Sequence, residues 1–167
     1  KLKKEFSDIK LLLAPRHLTR INNVEELVKN TELTYGFRSK QDNFRDKDII
    51  ILDTLGELSK MYQICDFAFI GGSFNKTGGH NPLEAVVYNK PAITGPSIHN
   101  FRDIYWILSR TKAGKIVKTP QELTDYMYKL LSNPKFYTQS CNDCKTVFEF
   151  QQGAMEYVIN ELKTIIK

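Results

Sequence analysis

Phe67-Ala68-Phe69-Ile70 runs directly into Gly71-Gly72-Ser73-Phe74-Asn75-Lys76-Thr77-Gly78-Gly79-His80-Asn81-Pro82-Leu83-Glu84. The apolar tetrapeptide predicts a buried strand, and Asn81-Pro82 supplies an N-cap followed by a first helical residue. Between them, two glycine pairs frame a short polar loop. A strand, a glycine loop and a helix start form the repeating unit of an α/β fold and an anion site. Glycines let backbone come close to a ligand, while unpaired amides and the positive end of the helix favour a phosphate or carboxylate. The loop therefore predicts binding of a phosphorylated small molecule.

Outward from this unit the same alternation continues. Apolar runs at residues 10–14, 33–38, 48–52, 91–94 and 115–117 read as further strands, the Ile-rich 48–52 as a central one covered on both faces. Helical patterns fall at 24–29, 57–64, 82–88, 101–108 and 121–131, with two closing helices at 135–148 and 153–166. Strands separated by short helices imply parallel βαβ units, hence a Rossmann-like, doubly wound parallel sheet with extra C-terminal helices. Ligands of such sheets sit beyond the carboxyl ends of the strands. Arg16-His17, residues 53–57, 71–81 and 95–100 all follow strands in this way.

Size and composition fit this picture. A chain of 167 residues is one domain's worth, spanning 1–167, and 41% hydrophobic with 26% charged residues is ordinary for a soluble globular protein. No window approaches the roughly eighteen apolar residues of a membrane span, and Lys1-Leu2-Lys3-Lys4-Glu5 lacks the apolar core of a signal peptide. The chain as it stands is expected to be soluble and cytoplasmic. Its net charge of +5 is spread along the sequence, without the basic clusters and stacking aromatics of a nucleic-acid binder, so no nucleic-acid partner is expected. The odd count of three cysteines points to a reducing compartment.

Further motifs accompany the glycine loop: Ala14-Pro15-Arg16-His17 and Asp53-Thr54-Leu55-Gly56-Glu57-Leu58 before it, then Gly95-Pro96, Asn100-Phe101-Arg102-Asp103 and Gln152-Gly153-Ala154. In this order they resemble the C-terminal half of bacterial 3-deoxy-D-manno-octulosonic acid (Kdo) transferases, glycosyltransferases of the two-Rossmann-domain GT-B type. The resemblance covers nearly the whole chain. It implies a CMP-Kdo-binding domain whose N-terminal acceptor domain and membrane anchor are not in these residues. It also implies transfer of Kdo to a lipid A precursor by inverting displacement, at the cytoplasmic face of the inner membrane of Gram-negative bacteria. The general base would belong to the other half, no cofactor or metal is expected, and the isolated domain is expected to be inactive.

The resemblance distributes roles over the loops. Asn at N-cap and Glu at the third helical position make Glu84 a capping-box residue by spacing, whereas GT-B enzymes typically use a Glu here for the ribose hydroxyls. The second role is the expectation for Glu84. Gly78, Gly79, His80 and Asn81 would hold the phosphate through backbone amides, with the His80 imidazole as an extra donor. Arg16, with His17 beside it, would stabilise the departing phosphate, since a guanidinium fork fits phosphate or carboxylate. Thr54, Leu55, Gly56 and Glu57 would lie near the cytosine, a simple helix cap remaining the alternative. Ser73 and Lys76 are placed within reach of the phosphate or the Kdo carboxylate, and Asn100 and Arg102 at the rim.

Other chemistries find less support. Cys141-x-x-Cys144 has no second ligand pair and lies in a helical region rather than directly after a strand, which argues against zinc and against a thioredoxin-like motif. His17, His80 and His99 are far apart and without carboxylates at ligand spacing. Neither G-x-G-x-x-G nor the P-loop pattern occurs. Two alternatives stay open: the donor domain of a UDP-sugar-dependent GT-B enzyme, and a non-catalytic nucleotide-binding module.

Overall fold

The computed structural model describes residues 1–43 and 45–165, with side chains up to residue 150 and at Leu162 and Lys163. The side chains of Gln152-Gly153-Ala154 and residue 166 of the predicted last helix lie outside the described residues. The chain forms two compact units, Lys1–Met61 and Tyr62–Lys167. The α/β class and the parallel pairing are as the strand–helix alternation predicts. The strands, however, form two three-stranded sheets.

In the first unit the order is α1 (Leu2–Glu5), β1 (Leu11–Leu13), a 3-10 turn, α2 (Ile21–Lys29), β2 (Tyr35–Phe37) and β3 (Ile49–Ile51), ending within α3 (Leu58–Ile64). The sheet is ordered β1-β3-β2, wholly parallel, with Leu13 and Phe37 both level with Ile51. Three consecutive isoleucines suit the middle of a parallel sheet, where both faces are covered. Ile49, Ile50 and Ile51 are 4%, 0% and 0% exposed. Ile21, Val24 and Val28 recur along one face of α2 and pack with Leu13, Leu33, Tyr35 and Phe37 against this strand.

This unit also concentrates the acid-sensitive carboxylates. Asp48, just before β3, accepts from Lys3 Nζ at 2.6 Å, from the Thr34 hydroxyl at 2.8 Å and from the Thr34 amide at 3.0 Å. Lys3 first and Thr34 second hold its carboxyl far below the usual range. Glu25 is lowered by Lys29 at 3.0 Å and by the Tyr35 hydroxyl at 2.9 Å. A carboxyl with a depressed folded pKa adds stability above its unfolded pKa and loses it as pH falls toward the folded one. The ordinary values are 3.8 for Asp and 4.5 for Glu. Acidification below about pH 4.5 should therefore weaken amide protection in residues 1–61 before residues 62–150. Hydrogen exchange measured from pH 5 to 3 checks this; simultaneous loss in both units would overturn it.

The second unit contains β4 (Ala68–Ile70), α4 (Leu83–Val86), β5 (Ala92–Thr94), α5 (Arg102–Ser109), β6 (Gly114–Ile116), α6 (Pro120–Ser132) and α7 (Pro134–Ile165). Its sheet is ordered β4-β5-β6, with Ile70, Thr94 and Ile116 level. One face carries Ile70, Ala85, Val86, Ala92, Tyr105, Leu108, Cys144 and Val147; a second cluster joins Ile93, Val117 and Leu130 to Phe67, Met127 and Phe136. Cys144 is thus a core side chain, and burial pushes its thiol up to about 12. Among the described residues no group of His, Cys, Asp or Glu is arranged to hold a metal ion, and no helix is long and apolar enough to cross a membrane.

Two helices differ from expectation. The segments predicted at 135–148 and 153–166 are joined, through residue 165, in one helix of 32 residues, because Gly153 costs only about 1 kcal/mol inside a helix and neither Pro nor a cap intervenes. The helix expected over 82–88 is only four residues long. Asn89 ends it at φ 59, and the Lys90 amide returns to the Ala85 carbonyl at 3.2 Å.

Candidate ligand site

In the first unit, residues following β1, β2 and β3 emerge at the same edge of the parallel sheet. Arg16 and His17 are exposed there, three and four positions beyond the end of β1. The loop after β3 is braced by the residues after β2. Asp53 accepts from the Ser39 amide at 2.8 Å and from the Ser39 hydroxyl. Burial pushes the Asp53 carboxyl up, but the two Ser39 bonds outweigh it and leave the group below its ordinary value. Glu57 receives the Thr54 hydroxyl on one oxygen and Arg38 Nη2 on the other at 2.9 Å, and these partners lower its carboxyl. Leu55 and Gly56 form the exposed tip, with Gly56 at φ 78.

In the second unit the two glycine pairs bind each other. The Gly79 amide donates to the Gly72 carbonyl at 2.9 Å, and the His80 amide to the Gly71 carbonyl at 3.2 Å. Closing the loop this way requires φ of 71 at Gly72, 90 at Gly78 and 75 at Gly79, a region open mainly to glycine. The segment after β5 then locks it. Asn100 donates through Nδ2 to the Thr77 carbonyl at 2.7 Å and the Gly79 carbonyl at 3.3 Å, and its amide reaches the Gly78 carbonyl at 3.2 Å. The Tyr105 hydroxyl donates to the His80 carbonyl at 3.2 Å.

This geometry corrects two expectations. Ser73 is 1% exposed; its hydroxyl donates to the Ile70 carbonyl at 2.8 Å and accepts from the Gly95 amide at 2.8 Å. It therefore fixes the loop and has no path to an anion. The Gly79 and His80 amides are likewise engaged within the loop. Among the described residues, the amides of Asn81 and Glu84 meet no acceptor and are the donors left at this helix start. Lys76 is exposed on the loop, and Asn100, expected at the rim, serves as its clamp.

Glu84 and Glu122 provide an internal comparison of two similar sequences. At α6, Thr119 caps the Glu122 amide at 3.1 Å and the Glu122 carboxylate returns to the Lys118 amide at 2.8 Å, a reciprocal capping pair. At α4, Asn81 Oδ1 accepts from the Leu83 amide at 3.0 Å, but no hydrogen bond joins the Glu84 carboxylate to the helix start. Glu84 is exposed. Its carboxylate remains available to a ligand while Asn81 does the capping.

The structure thus gathers Arg16, His17 and Thr54–Glu57 at one sheet edge of the first unit, and Lys76, Asn81 and Glu84 with their supports at one edge of the second. Arg38 and Ser39 are additions that the sequence reading lacks. The available signal was their position directly after a strand, level with the Asp53–Glu57 loop.

No family model matches the chain. It is 32% identical to the 3-deoxy-D-manno-octulosonic acid transferase of Haemophilus influenzae over 165 residues, 98% of this chain and 39% of the relative. To the transferase of the same name from Aquifex aeolicus it is 34% identical over 134 residues, 80% of this chain and 37% of the relative. A bifunctional glycosyltransferase/methyltransferase of Fusobacterium nucleatum is 38% identical over 122 residues, 71% of this chain and 19% of the relative. The chain spans about two fifths of the length of the first two. Its fold matches the crystal structure of the C-terminal CMP-Kdo binding domain of WaaA from Acinetobacter baumannii, with a TM-score of 0.77 at 24% identity. That match covers 88% of this chain and 94% of the other.

Proposed function

Because the chain belongs to the 3-deoxy-D-manno-octulosonic acid transferase family, we propose that it is the donor-binding part of an enzyme that transfers Kdo from CMP-Kdo to a lipid A precursor. The observation that carries this reading is the uncapped, exposed Glu84 beside a closed glycine loop. A carboxylate accepts both protons of a ribose cis-diol, and the Asn81 and Glu84 amides, with Lys76, suit the adjacent phosphate. For the first unit the reading carries over the roles that the resemblance implies, Arg16 for the anionic leaving group and the 54–57 loop for the base. The acceptor hydroxyl attacks the anomeric carbon of Kdo as CMP departs, with inversion. The general base and the acceptor site lie outside these residues, no metal is required, and the whole enzyme works at the cytoplasmic face of the inner membrane in lipopolysaccharide assembly.

The chain alone should bind CMP in preference to UMP or AMP and show no transfer by itself. Glu84→Ala should weaken CMP binding by about tenfold while changing stability by less than about 1 kcal/mol, since no capping bond is lost. Calorimetric titration and thermal melting of the same variant separate the roles. Unchanged affinity with a lowered melting temperature would return Glu84 to a helix cap. Equal response to all three nucleotides would remove the CMP assignment.

A further inference from the structure

Thr54, Glu57 and Arg38 form a chain of hydrogen bonds with a fixed direction. Arg38 is anchored at the end of β2, where its amide donates to the Ile51 carbonyl at 3.0 Å. Its Nη2 donates to Glu57 Oε1 at 2.9 Å, and the Thr54 hydroxyl donates to Glu57 Oε2. Arg38 Nε is buried without an acceptor, so Nη2 carries the bond to Glu57. A guanidinium donates only and an ionised carboxylate accepts only. The Thr54 proton is therefore committed to Glu57, and its oxygen can offer a ligand nothing but lone pairs. Thr54 is half-buried, its neighbour Leu55 is 79% exposed, and a Cβ on Gly56 would meet nothing within 4 Å. The loop tip next to Thr54 is open to solvent.

We propose that Arg38 is a specificity-determining positioning residue that acts through Glu57 to keep the Thr54 oxygen an acceptor, matched to the 4-amino group of cytosine and opposed to the 4-keto oxygen of uracil. The inference rests on the cytidine-nucleotide reading above and supplies its discrimination. Cytosine presents a donor at position 4 and uracil an acceptor. Two acceptors facing each other leave both without a proton, a mismatch that a site built to receive a donor rejects. Thr54 and Arg38 together keep the Glu57 carboxyl below its ordinary value, so it stays ionised through neutral pH. Without the cation, Glu57 is free to turn away, and the released hydroxyl can rotate to accept from the cytosine amino group or donate to the uracil oxygen.

The test compares CMP and UMP titrations of the parent chain with Arg38→Gln, Arg38→Lys, Glu57→Ala and Thr54→Val. The parent should favour CMP by about tenfold, the scale of one well-placed hydrogen bond. Arg38→Gln and Glu57→Ala, which act by releasing the Thr54 hydroxyl, should bring the ratio within about twofold of unity, and Thr54→Val should do the same. Arg38→Lys, which restores the charge, should retain most of the preference. A parent that binds both nucleotides equally overturns the inference together with the cytidine reading. A parent that favours CMP while Arg38→Gln and Glu57→Ala, folded by circular dichroism, keep the full ratio overturns the inference alone. Equal weakening of CMP and UMP, with the ratio preserved, makes Arg38 merely a strut and also overturns it.

Discussion

Replacing Arg16 with alanine should lower the rate of Kdo transfer by about a hundredfold, the usual loss when one donor to developing charge is removed. Arg16 is exposed beyond the end of β1, at the sheet edge that also carries Thr54–Glu57. Its effect should fall mainly on turnover, because negative charge on the phosphate grows as the bond to Kdo breaks. CMP-Kdo binding in the ground state should weaken far less. As the chain spans 39% of the Haemophilus influenzae transferase, the measurement is made in a hybrid, with this chain replacing the matched region of that enzyme. Turnover within a few fold of the parental hybrid would make Arg16 an ordinary surface residue.

Gly95→Ala should be the most destabilising single substitution in the glycine-loop region. A Cβ there would stand 2.6 Å from the Ser73 carbonyl oxygen and 2.8 Å from the Ser73 carbonyl carbon, both backbone atoms that cannot swing aside. The same place holds the bonds that join the loops after β4 and β5: Gly95 amide to Ser73 Oγ at 2.8 Å and Ser97 amide to the Ser73 carbonyl at 2.9 Å. Forcing them apart should cost roughly 3 kcal/mol, the upper end for overpacking. That corresponds to a melting temperature lower by about 6 to 12 °C. Gly71→Ala is the control, since a Cβ at Gly71 meets nothing within 4 Å and its φ is not positive. It should melt within about 2 °C of the parent, and equal losses in both variants would refute the packing argument.

What was legible in the sequence was local. The Ile49–Ile51 run announces a central parallel strand because a strand covered on both faces needs no polar residues, and the glycine pairs announce positive φ. Asn81-Pro82 marks a helix start because the Asn side chain accepts from a free first-turn amide and Pro has no amide to satisfy there. Pairings across sequence were not legible. Ser73 looks like a polar loop residue until its partner Gly95 is 22 positions away, and Arg38 looks like a solvated strand end until Glu57 is found 19 positions on. Spacing alone fits Glu84 to cap and ligand equally, because both need the same position, and the ribose expectation came from the resemblance; the structure shows no bond from its carboxylate to its own helix start. Gly153 misled by suggesting a break that the long helix absorbs.

The order of strands in the first sheet has a consequence in time. β1 and β2 each pair only with β3, the last of the three to be synthesised. Until residues 49–51 exist, neither earlier strand has a ladder to join, so the N-terminal half of this unit leaves the ribosome as unpaired chain. Closing β1 onto β3 also spans the segment from Leu11 to Ile49, a non-local contact whose loop entropy must be met before any strand contact repays it. The second sheet differs, because β4 meets its partner β5 as soon as Thr94 is made. Three isoleucines near the end of the first unit therefore set the moment at which that unit can begin to fold.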